Sequence, residues 1–105
     1  MTDKYILDEH GSPVPEPDLH KWEKWLEKSD RHIARDEIGD VTVSTVFLGI
    51  DHSWGDGDPI LFETMIFGGK HDQYQVRYST RIEAIHGHAD AVQMVRPWIA
   101  SMRVE

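Results

Sequence analysis

Three short β-rich segments, broken by glycine turns and running straight into a helix-start signal, limit most strongly what this chain can fold into. Residues 41–50 read VTVSTVFLGI, residues 60–67 read ILFETMIF, and residues 74–79 read YQVRYS. Such a density of β-branched and aromatic side chains suits a pleated, partly buried surface. In the third segment Tyr74, Val76 and Tyr78 fall on one face and Gln75 and Arg77 on the other. Loops, with no intervening helix, join the three, so the expected arrangement is an antiparallel meander.

Thr80-Arg81-Ile82-Glu83 then forms a capping box. The Thr hydroxyl can accept from the Glu83 amide while the Glu83 carboxylate reaches back. Beyond it Ile82, Ile85, Ala89, Val92, Val95 and Ile99 make a stripe of nearly helical period, and Pro97 should kink or end the helix near Arg96. Upstream, residues 4–8 can form a short strand, His10-Gly11-Ser12-Pro13 is a turn, and Pro13, Pro15 and Pro17 keep the chain extended. Asp18 is a good N-cap for a helix over about 18–29, with Leu19, Trp22, Trp25 and Leu26 on one apolar stripe. Residues 32–38 (HIARDEI) can add a strand before the Gly39-Asp40 turn. The fold class is therefore α+β: a single domain with a small antiparallel sheet of three to four strands and two helices packed on one face.

Composition narrows the function classes. The 105 residues contain no cysteine, which removes disulfides, thiolate zinc sites and cysteine nucleophiles. Nineteen acids against eleven bases give −8, spread as eleven against six in residues 1–40 and eight against five in 41–105. This balance disfavours binding to a phosphate backbone but permits docking onto a basic protein surface. No apolar run has signal-peptide or membrane-span length, so a soluble, intracellular protein is expected.

Several clusters could carry chemistry. His86-Gly87-His88 resembles a metal clip as letters, but residues two apart on a helix point to nearly opposite sides. Asp51, Asp56, Asp58 and Glu63 are four carboxylates with no base among them. Their spacing fails the EF-hand pattern, because Asp56 falls where glycine is required and the last ligand position falls on Phe62. A loop in which Gly55 and Gly57 take positive φ and aspartates cap turn amides accounts for them. Neither a metal nor a cofactor is expected. Glu63 and Arg77 lie mid-strand and can form a cross-strand ion pair, or bracket a polar pocket with His52. Trp54, in the loop, can fold over the core or stand out as an anchor for a partner.

The strings VSTVFLGIDH (43–52), GDPILFETMIFGG (57–69) and RYST (77–80), with EA (83–84) and GH (87–88), resemble a family of small, functionally uncharacterised bacteriophage and prophage proteins. The opening YILDEHGSPVPEPDLHKWEKWLE resembles the start of that family, so the resemblance covers nearly the whole chain. It implies a phage accessory protein working in the host bacterial cytoplasm. It carries over no catalytic role, and it directs attention to Asp51, His52, Glu63, Arg77, Tyr78 and His88.

Three functions follow as expectations. One is a non-enzymatic accessory factor that binds and inhibits a host protein, defence-related in this context, through an acidic surface that includes Trp54. Another is a small-ligand or nucleotide-binding protein, or small hydrolase, with a pocket at His52, Glu63, Arg77 and Tyr78. The last is a phage structural or assembly subunit, which would form an oligomer.

Overall fold

The computed structural model describes residues 2–55 and 57–102. Four strands, β3 (His32–Ile38), β4 (Val41–Phe47), β5 (Phe62–Phe67) and β6 (Gln75–Tyr78), form an antiparallel sheet in sequence order. Ahead of them β1 (Tyr5–Leu7) and β2 (Pro13–Pro15) make a separate two-stranded hairpin, and α1 (Leu19–Lys28) follows it. A long helix, α2 (Arg81–Met102), closes the described chain. The α+β meander read from the sequence is the fold.

Strand alternation separates the two sheet faces. Val41, Val43, Thr45 and Phe47 of β4 are all buried, and register places Ile66, Thr64 and Phe62 beside Val43, Thr45 and Phe47. This face receives α2 through Ala84, His88, Ala91, Val92 and Val95. Helix α1 approaches the same face, because Trp25 meets Phe47 edge-on with ring centroids 5.7 Å apart. Thr42, Ser44 and Val46 alternate onto the opposite face, with Glu63, Met65 and Phe67 beside them.

The capping box forms as its sequence suggests. The Thr80 amide donates to Glu83 Oε1 at 3.0 Å, and the Glu83 amide donates to Thr80 Oγ1 at 3.1 Å. Asp18 likewise accepts from the His20 and Lys21 amides at the start of α1.

Three expectations need correction. Of the kink or end expected near Arg96, the end does not occur: α2 continues through Pro97 to Met102. The apolar stripe is rotated in its first half: Ile82 and Ile85 are 67% and 47% exposed, while Ala84 and Ala91 are fully buried. Small residues face the sheet there because the Tyr78 ring occupies the space: a Cβ on Gly87 would lie 1.9 Å from the Tyr78 hydroxyl. Finally, β4 ends at Phe47 rather than at residue 50. Gly49 takes φ +78°, turning the chain so that its carbonyl accepts from Tyr5 N and Trp22 Nε1. That turn joins the β1–β2 hairpin and α1 to the end of the sheet.

Candidate functional site

The loop from Asp51 to Ile60 is built outward from a closed base. The Asp51 amide donates to Asp3 O at 2.8 Å, and the His52 amide donates to Ile60 O at 3.0 Å. Asp51 Oδ1 accepts from the Ser53 amide at 2.8 Å and from the Ile60 amide at 2.9 Å, so one carboxylate holds both limbs of the loop. Burial alone would raise the Asp51 carboxyl, but these two amides outweigh it and hold it below the ordinary aspartate value. Asp51 is thus a brace. Gly55 takes φ +78°, and a Cβ added there would meet nothing within 4 Å. Asp56 lies outside the described residues.

At the tip of this loop Trp54 is 96% exposed. The other tryptophans of the first half are placed differently. Trp25 packs on Phe47, and Trp22 donates to the Gly49 carbonyl at 3.0 Å. Of the two roles open to Trp54, covering the core is therefore excluded. His52 and Asp58 are exposed in the same loop.

Glu63 and Arg77 face each other directly across β5 and β6. Arg77 Nε donates to Glu63 Oε2 at 2.9 Å, and Gln75 Nε2 donates to the same oxygen. The pair lies on the face of the sheet opposite α2. Tyr78, the next residue of β6, points to the opposite face and packs with Phe47, Leu61, Phe62 and Ala84. Adjacent strand positions cannot line one pocket on one face. The pocket expected at His52, Glu63, Arg77 and Tyr78 is accordingly not assembled around these four side chains. The Tyr78 hydroxyl is buried and has no hydrogen-bond partner among the described residues.

His88 is 6% exposed on the inner face of α2, whereas His86 is exposed, so the two imidazoles of the HGH motif diverge along an unbroken helix. His88 Nε2 lies 2.7 Å from Asp36 Oδ2 on β3, and Nδ1 lies 2.7 Å from Thr45 Oγ1 on β4. Thr45 Oγ1 in turn meets Thr64 Oγ1 on β5. An ionised Asp36 only accepts, so Nε2 carries the proton. In the neutral ring Nδ1 then accepts from the Thr45 hydroxyl, which accepts from Thr64. The relay spans α2 and three strands. In letters it is a carboxylate–imidazole–hydroxyl set, yet Thr45 is fully buried, so its oxygen has no approach for a substrate.

The sequence reading missed Asp36, Thr45 and Thr64. A usable signal was present for the two threonines: alternation places them among inward Val, Ile and Phe positions, where a hydroxyl needs a buried partner. His88, four residues from both Ala84 and Val92 on one helix face, is that partner.

Among the described residues no three His, Asp or Glu side chains converge as a metal site, and no helix is long and apolar enough to cross a membrane. What remains is an α+β domain that carries a braced, tryptophan-tipped loop. The chain matches no family model, no curated protein and no solved structure in comparison with known proteins.

Proposed function

We propose that this protein is a phage-encoded accessory factor that acts by binding and inhibiting a host bacterial protein in the host cytoplasm, without chemistry of its own. The observation that carries the reading is Trp54, 96% exposed on a loop whose base is held by Asp51. A large aromatic held out in water by a pre-organised loop is poorly explained by stability, and suits a hot spot that buries itself in a partner's pocket. Residues 51–63 contain four carboxylates and no Lys or Arg, so the matching surface would be a basic one around an apolar slot. The resemblance to phage proteins favours a component of host defence as that partner.

The test begins with capture of partners by the tagged protein from host cells, identified by mass spectrometry. The complex is then measured with purified components. Trp54→Ala should weaken it by about thirtyfold or more, the scale of an interface hot spot. Asp58→Lys should weaken it further at low salt than at high salt. If both variants bind as tightly as the unsubstituted protein, this loop is not the interface.

A further inference from the structure

A second feature lies away from the Trp54 tip. The β1–β2 hairpin, the end of the 51–61 loop and the first turn of α2 border an open cleft of about 490 Å³. That volume is in the range of small-molecule sites, which are mostly apolar with a few placed polar groups. Tyr5, Pro13, Pro59 and Ile82 supply apolar wall, and Ser79 and Arg81 supply polar groups. Among the described residues no carboxylate lines it.

Arg81 gives the cleft its chemistry. It is partly buried, and among the described residues its side chain makes one hydrogen bond, from Nη1 to the Gly11 carbonyl at 3.2 Å. No carboxylate lies within ion-pair distance of it among the described residues, and it differs from Arg31, Arg35, Arg77 and Arg96 in being partly buried, since those four are exposed. A partly buried guanidinium with no counter-charge has given up water without gaining an ion pair, which suits it to receive an anion. Gly11, at φ +78°, lets the hairpin turn close on it, since a Cβ there would come 2.9 Å from Nη1. The side chain is thereby held in place with most of its five donors uncommitted. The first-turn amide of Glu83 is already taken by Thr80, and the Glu83 carboxylate turns back onto Thr80. Among the described lining residues Arg81 is the one cationic side chain. The 67% exposure of Ile82 also gains a reason, because this isoleucine forms part of the cleft wall.

We infer that this cleft binds a small organic anion, an apolar body bearing one phosphate or carboxylate head, with Arg81 recognising the head. The inference is independent of the Trp54 interface, and either can fail alone.

Titration of the whole protein, followed by amide chemical shifts, tests it. Phenyl phosphate and benzoate are the probes; benzyl alcohol lacks the charge and inorganic phosphate lacks the body. Both organic anions should shift the amides of Ser12, Ser79 and Ile82 in a saturable way, more tightly than either control. Arg81→Met should weaken them about tenfold or more, the scale of lost charge-assisted hydrogen bonds. Ile82→Asp, at an exposed position that tolerates the change, should weaken them by placing a negative charge on the wall. Absence of localised shifts for both anions overturns the proposal. So does equal binding of benzyl alcohol, equal binding of inorganic phosphate (an adventitious ion only), or anion binding that neither substitution alters.

Discussion

His88 Nε2 and Asp36 Oδ2 stand 2.7 Å apart, and this contact ties the middle of α2 to the edge strand β3. Through Nδ1 the same ring reaches Thr45 and then Thr64, so one imidazole fixes the helix against three strands. A buried His–Thr–Thr chain ending on a half-exposed carboxylate favours one arrangement of helix on sheet, because sliding either element would orphan several groups at once.

The relay makes Thr45 and Thr64 unequal. Thr45→Val should leave both His88 Nδ1 and the Thr64 hydroxyl without a partner, at a cost of about 2–3 kcal/mol. Thr64→Val removes only the end of the chain and should cost about 1 kcal/mol or less. In the double variant the Thr64 orphan is gone, so its cost should fall below the sum of the singles. Urea denaturation of the four proteins measures the coupling. Strict additivity would sink the relay.

Tyr78 and Gly87 form a tight contact with opposite expectations for the two residues. Tyr78→Phe removes a buried hydroxyl that has no partner among the described residues, and should be neutral or stabilising by up to about 1 kcal/mol. Gly87→Ala should destabilise by about 1–3 kcal/mol despite the better helix propensity of alanine, because the new methyl overlaps the Tyr78 ring. Thermal midpoints that move in the reverse directions would show that α2 does not sit this close to β6.

The Asp51 brace predicts a pH dependence. Its carboxyl is held below the ordinary value, so the stability it contributes is complete above about pH 4 and is lost as pH falls through the depressed value. Asp8 behaves in the same sense, since the Ser12 and His10 amides lower its carboxyl. Asparagine at position 51 can accept from the same two amides but does not titrate. Asp51→Asn should therefore lose less stability than the unsubstituted protein between about pH 4 and pH 2, measured by thermal unfolding. Parallel acid profiles would remove this carboxyl from the account.

Trp54→Ala should leave folding stability within about 0.5 kcal/mol, since a side chain 96% exposed has almost no packing to lose. Fluorescence gives a second readout. Trp54 should be far more accessible to an aqueous quencher than Trp22 and Trp25, and Trp54→Phe should abolish the most quenchable part of the emission. Retention of that component would place Trp54 against the protein.

Local chemistry made much of this molecule legible. The capping box at Thr80 and Glu83, the Asp18 N-cap, and the alternation that sets Tyr78 and Arg77 on opposite faces are short-range facts, and each appears as read. The Glu63–Arg77 ion pair was likewise readable, because two mid-strand charges in neighbouring strands had few other partners. The rotation of α2 was not readable. Counting large apolar residues chose Ile82 and Ile85 for the core, whereas close approach to the sheet required Ala84, Gly87 and Ala91.

The composition and the local patterns determined the fold class, the helix starts, the face of each strand and the acidic character of the loop around Trp54. Only the tertiary structure decided which distant residues meet. It joined Asp36, Thr45 and Thr64 to His88, left Trp54 in water, and set Arg81 beside Gly11, seventy residues away, on one cleft. The physical reason is range: capping, turn geometry and strand alternation act over a few residues. Buried polar partners and clefts depend on how closely whole elements pack, and that depends on many small side chains together.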